Sequence, residues 1–240
     1  MVAMAAHEPT RPRRRVQFRH EARNFWATDS SLTLLLILLV GNIFIMPLAH
    51  FVTWGRFAAR VALSLMLISG LLATVRDRLI IAVTIAFVVM GSVVGWEDIV
   101  HPDFSLHLIN DLVSLLSIAL LLALIFRQVF RPGPITLRRI QGSVALYMML
   151  GFFWTVSYSM VELLAPGSFR IALHTRVDLP DLGYFSFTTL TTLGLGDVLP
   201  LGAAARSLVV LEALIGQLFP VILIARLVTM EVDYRRTAAN

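Results

Sequence analysis

The sequence predicts an all-α membrane protein with six transmembrane helices, and three observations predict it. Of 240 residues, 58% are hydrophobic and 15% charged, with a mean hydropathy of +0.81, far from the balance of a water-soluble domain. Six apolar stretches, 32–49, 61–75, 79–96, 112–126, 140–161 and 207–225, carry no charge except Glu212 in the last. Each is near the ~20 residues that a helix needs to cross the hydrocarbon. The arginines also divide unequally once the stretches are threaded back and forth. With the N-terminus inside, fifteen of the twenty face the cytoplasm and only Arg56, Arg60, Arg170, Arg176 and Arg206 lie outside, as positive-inside placement requires. Both termini are then cytoplasmic, and the chain is expected in the cell membrane as a multi-pass protein.

Residues 1–30 form an arginine-rich cytoplasmic N-terminus. Its first 24 residues are polar, contain Pro9 and Pro12, and are expected to hold little fixed structure. The arginines there orient the first span, and contact with anionic lipid of the bilayer is a second reading. The first apolar stretch lacks a small-residue cleavage pattern after it, so it reads as a retained span. Residues 31–130 make a four-helix transmembrane unit with short loops. At 131–139 (Arg-Pro-Gly-Pro-Ile-Thr-Leu-Arg-Arg) two prolines and a glycine prevent one helix from running through, which places a boundary before a second unit, 140–230. Residues 231–240 remain as a cytoplasmic tail, and no ligand-binding domain is expected after Thr229.

Composition excludes several classes of function. There is no cysteine, so neither a disulfide framework nor a thiolate metal site can form. His7, His20, His50, His101, His107 and His174 show no metal-ligand spacing, and no Ser/His/Asp arrangement falls on one site. The chain is not expected to be an enzyme, to use a cofactor or to bind nucleic acid.

The informative segment is 163–206, between the last two spans, too polar to cross and too apolar in its middle for an ordinary loop. Pro180 and Asp181 make a good helix start, because proline suits the first helical turn and an acid suits the positive end of the dipole. A short helix is expected over 181–191. It runs into Thr188-Thr189-Leu190-Thr191-Thr192-Leu193-Gly194-Leu195-Gly196-Asp197. A bare Gly-x-Gly says little, but here it follows a short helix between two spans.

On this motif and setting the chain resembles the potassium channel superfamily, most closely its single-pore prokaryotic members with two or six spans. The resemblance covers about 162–228; the first four spans match only in number and topology. It implies that 140–230 is a pore domain of outer helix, re-entrant pore helix, selectivity filter and inner helix, and that four chains assemble as a homotetramer around one axis. Thr192, Leu193, Gly194, Leu195 and Gly196 would form the filter, with K+ as the permeating ion held at Thr192, Leu193, Gly194 and Leu195. Dehydrating a cation requires replacement oxygens, which an extended backbone from each chain supplies if its carbonyls point inward. Gly194 and Gly196 permit the backbone angles this needs.

The same resemblance implies roles for neighbouring residues. Thr192 would add a ring of hydroxyls at the inner end, while Thr191 and Thr188 would tie the filter to the pore helix. Tyr184 and Phe185 would brace it from behind. Glu162 matches an acid supporting the backbone beyond the filter, the other reading being a solvated acid at a helix end. Asp197 either binds the pore helix through Tyr184 or faces the outer mouth. Gly216 lies 20 residues after Gly196 and four before Pro220; the proline removes a hydrogen bond from the Gly216 carbonyl, giving either a gating hinge or a fixed kink. Gln217 matches a cavity-lining position. Glu212 is open between the rear of the filter and a neighbouring helix.

Two departures from the family matter. The fourth span, 112–126, has no charge, whereas a voltage sensor carries arginines worth roughly 2.3 kcal/mol each per 100 mV; no conventional voltage sensor is expected. Leu195 stands where tyrosine is usual, which keeps a nonselective monovalent cation channel in view, beside a nonconducting scaffold and a potassium-uptake transporter subunit. A tyrosine hydroxyl there could hydrogen-bond behind the filter and leucine cannot. Leu195→Tyr should therefore hold conductance and selectivity as external potassium is lowered, while the parent loses them. Reversal potentials of the two that stay superimposed across the potassium series would show that the missing hydroxyl is immaterial.

Overall fold

A computed structural model describes residues 32–44, 103–131, 136–172 and 177–239, together with the helical residues Ala82, Ala86, Val89, Met90, Gly91 and Val93. The expected spans 61–75 and 79–96, the arginine-rich N-terminus and residues 132–135 of the expected break lie largely or wholly outside the described residues. The element order is α1 (Leu32–Phe44), α2 (Phe104–Val129), α3 (Leu137–Leu164), β1 (Phe169–Ile171), α4 (Leu179–Leu190), β2 (Val198–Pro200) and α5 (Ala203–Ala239). Three of these, Phe104–Val129, Leu137–Leu164 and Ala203–Val232, are long and apolar enough to cross a membrane. The protein is thus a mostly helical membrane protein.

The helices form where hydropathy places them, but their ends differ. α2 begins eight residues before its uncharged stretch, taking in Phe104 to Asp111. α5 continues to Ala239, so the expected tail 231–240 is, up to residue 239, an extension of the last helix. Its Val-Thr-Met-Glu-Val run has no glycine or proline to stop it. At ~1.5 Å per residue, its 37 residues exceed what the hydrocarbon requires. α4, with 12 residues, reaches only ~18 Å and cannot cross.

Two apolar cores hold these elements together. One joins Leu35 and Leu39 of α1, Ile118, Leu121 and Ile125 of α2, and Leu146, Met149 and Phe152 of α3. The buried residues of α2 recur every four positions or so (Val113, Ser117, Ile118, Leu121, Ile125, Val129), the single stripe of a helix lying against a neighbour. The other core surrounds the short helix: Trp154 and Tyr158 of α3, Phe169 of β1, Phe185 and Leu190 of α4, Val198 of β2 and Ala205 of α5. Hydroxyls within the helices return to their own backbone, Ser117 to Val113 O at 2.7 Å and Thr155 to Gly151 O at 2.8 Å. This satisfies polar groups that an apolar surrounding would otherwise penalise.

The chain is not wholly α. β1 and β2 pair antiparallel, with Arg170 opposite Leu199, and so clip the segment after α3 to the segment before α5. Three-residue strands carry too little alternation to be read in advance. Their seat is Glu162, whose carboxylate accepts the Gly167 N–H at 2.8 Å and the Phe169 N–H at 2.9 Å. α5 is the least covered element: Val210, Leu214, Val221 and Ile224 are 54–63% exposed in the single chain. An apolar helix this bare needs lipid or other chains around it.

Candidate functional site

The start of α4 is set by Asp178 rather than Pro180. Asp178 is the cap, its N–H donates to Asp181 Oδ2 at 2.9 Å, and Pro180 lies in the first turn, where its missing N–H costs nothing. The helix thus begins two residues earlier than expected and ends at Leu190, with Thr191 as its cap.

At that end the chain doubles onto the helix. Thr191 donates twice to the Phe187 carbonyl, from N–H at 3.1 Å and from Oγ1 at 2.6 Å. The Thr192 N–H goes to Thr189 O at 2.9 Å, and the N–H groups of Leu193 and Gly194 share Thr188 O at 2.8 and 3.2 Å. Thr188 Oγ1 donates to Phe185 O at 2.9 Å. The carbonyls of 187–189, among those every helix leaves open at its end, are therefore met by the N–H groups of 191–194. The carbonyl oxygens of 192–196 receive no hydrogen bond among the described residues. The next carbonyl, Asp197 O, accepts Ala172 N–H at 2.9 Å.

Backbone angles follow a strict alternation. Thr192, Gly194 and Gly196 have φ of 61°, 52° and 81°, while Thr191 has −85° and Leu193 and Leu195 are not in the positive region. Thr192 is the one non-glycine residue with positive φ among the described residues, a conformation that costs a β-branched side chain energy. Leu193 and Leu195 stand outward, 66% and 63% exposed. Leu195 borders a groove of about 390 Å3 that is also lined by Thr188 and Thr189 of α4 and by Val209 and Ala213 of α5.

The other expected residues fall in distinct places. The Tyr184 hydroxyl of α4 lies close enough to the Asp197 side chain to feel its charge. Phe185 faces inward, with its ring 5.5 Å from Tyr158 and 5.6 Å from Phe169; it packs α4 on α3. Glu162 does not reach the glycine segment itself. It holds β1, and β1 holds β2 just beyond Asp197. Gln217 is exposed on α5 and Pro220 lies inside the helix.

Gly216 has a role that spacing did not disclose. It lies flush against the end of α4, where an added Cβ would collide with the Leu190 carbonyl oxygen and meet Leu190 Cα at 3.0 Å. The same carbonyl accepts the Tyr147 hydroxyl at 3.0 Å. Tyr147 and Leu190 are 43 residues apart, and no sequence signal links them. Glu212, left open by the sequence, is fully buried and is hydrogen-bonded to Tyr158 of α3 and Ser186 of α4. No group of three or more His, Cys, Asp or Glu side chains that could hold a metal occurs among the described residues.

Gly216→Ala should cost about 1–3 kcal/mol of stability, the usual penalty of overpacking, whereas Pro220→Ala should be neutral or stabilising because it restores a donor to the Gly216 carbonyl. Thermal unfolding of the detergent-solubilised protein measures both. A Gly216→Ala protein as stable as the parent would show that no such close approach exists.

Comparison with curated proteins and with solved structures gave no match. Residues 158–232 match the model of a family described as Ion channel, a span from the last turns of α3 through α4 and the glycine segment to Val232 of α5. The match is confined to that part of the chain, and it supports a channel-type pore region built from the short helix, the doubled-back segment and the long last helix.

Proposed function

We propose that the chain is one subunit of a homotetrameric, potassium-selective channel whose filter is Thr192 to Gly196. The observation that carries this reading is the alternation of φ from Thr191 to Gly196 together with the carbonyls of 192–196, which receive no hydrogen bond among the described residues. Backbone oxygens inside a bilayer need partners, and a row of them on one side of a strand suits a dehydrated cation. One row cannot surround an ion. Four chains about an axis can, and the bare faces of α5 and the outward Leu193 and Leu195 leave apolar surface for neighbours to cover. The C-terminus of α4, the negative end of its dipole, favours a cation beside it.

In this reading Thr192 closes the inner end of the filter, Tyr184 and Asp197 fix its outer end, and Gln217 faces the water-filled cavity. The chain crosses the cell membrane several times with both termini in the cytoplasm, where the N-terminal arginines orient the first span, contact with anionic lipid being the second reading. The described part of the four-helix unit supplies packing: α2 has no charge between Leu112 and Phe126. A nonselective monovalent cation channel is the second reading, favoured by Leu195 alone.

Purified protein reconstituted in liposomes should pass potassium in clear preference to sodium, with a conductance that changes only shallowly with voltage. Equal potassium and sodium fluxes would leave the nonselective reading; no flux of either would remove both.

A further inference from the structure

Behind the proposed filter, three elements meet at a group that conduction itself does not use. Glu212 of α5 has no exposed surface. Its Oε2 faces the Tyr158 hydroxyl of α3, and its Oε1 lies 2.6 Å from Ser186 Oγ of α4. Ser186 Oγ lies in turn 2.8 Å from the Gly151 carbonyl of α3, which also accepts Thr155 Oγ1 at 2.8 Å. The three oxygen contacts Tyr158–Glu212, Glu212–Ser186 and Ser186–Gly151 each need one hydrogen. A tyrosine and a serine bring one hydrogen apiece, and a backbone carbonyl brings none.

We infer that Glu212 is a positioning residue that holds the missing hydrogen, a neutral carboxylic acid that donates to Ser186 and accepts from Tyr158, and so locks α4 between α3 and α5. With the acid neutral, Ser186 is free to donate to Gly151 and every contact is satisfied. With the acid ionised, Ser186 can serve either Glu212 or Gly151, and one close pair of oxygens is left with no hydrogen between them, at a cost that buried polar groups do not otherwise bear. The surroundings agree. α3 turns Tyr158 and Tyr147 toward this region, and Tyr147 is engaged at the Leu190 carbonyl; α4 contributes Ser186, which does not titrate. No arginine or lysine is among the hydrogen-bond partners of Glu212 in the described residues.

The consequence lies in the register of α4. Ser186 is one turn before Leu190, and Glu212 is one turn before Gly216, the residue that abuts Leu190. The acid and the glycine therefore fasten the same short helix at two successive turns, one by hydrogen bonds and one by contact. A neutral acid makes this tie without placing a charge beside a cation pathway, where an ionised one would alter the field felt by the ion.

The inference rests on the proposed function only in its flux readout, and the deciding measurement does not involve flux. Infrared spectra of the parent protein at neutral pH, minus those of Glu212→Gln, should show the carbonyl stretch of a protonated carboxylic acid that the variant lacks. Glutamine can take the same two roles, accepting from Tyr158 and donating to Ser186. Glu212→Gln should therefore keep parental thermal stability and parental potassium-to-sodium preference. Glu212→Ala should lose stability and, where the parent conducts, selectivity. A difference spectrum with only carboxylate bands overturns the proton assignment, and a Glu212→Ala protein indistinguishable from the parent overturns the positioning role. Absence of flux in the parent would count against the channel reading and leave the infrared result standing.

Discussion

Backbone N–H and C=O groups that leave a helix inside an apolar medium must find partners, and the structure is organised around how the end of α4 meets that constraint. The N–H groups of 191–194 return to the carbonyls of 187–189, and Leu190 O takes the Tyr147 hydroxyl. The donors of 191–194 are thus used on the helix side. The carbonyls of 192–196 that follow receive no hydrogen bond among the described residues, and the backbone angles alternate in sign at 192, 194 and 196. A side chain on Gly194 or Gly196 would oppose that alternation; Thr192 adopts it without such freedom, at an energetic cost that the surrounding hydrogen bonds must offset.

Everything else in the C-terminal unit serves to fix that helix end. α3 supports it through Tyr147 and the aromatic group of Trp154, Tyr158, Phe169 and Phe185, whose rings lie 5.3–6.1 Å apart. α5 supports it through the contact of Gly216 and the side chain of Glu212. The β1–β2 clip and Glu162 fasten the far end of the segment to the C-terminal end of α3. The short helix is thereby held on each flank by packing and on each end by hydrogen bonds. A site proposed to hold a dehydrated ion would need such a second tier of support to keep its geometry.

Much of this was legible in the sequence, and the reason differs by residue. Span-forming helices declare themselves through sustained hydropathy, and α2, α3 and α5 all contain the stretches expected of them. The glycine segment declares itself because two glycines after a threonine-rich short helix are costly unless their angles are used. α4 starts two residues before the expected position because Asp178 and Asp181 cap it as a pair, and Pro180 takes a place inside the first turn. The clip of β1 with β2 has too few residues for a pattern. Gly216 reads as a hinge by spacing, yet its contact with Leu190 is set by tertiary packing that no local signal carries. The partners of Glu212 are 54 and 26 residues away from it, which is why the acid stood unexplained until the helices were assembled.

The claim on which the account turns is that the carbonyls of 192–195 from four chains enclose a cation. An experimentally determined structure of the purified protein in rubidium or thallium salt tests it most directly. The account predicts four chains around one axis with strong cation density on that axis, at the level of Thr192 to Leu195. Another stoichiometry, or density confined to the outer mouth with these carbonyls turned away from the axis, would contradict it.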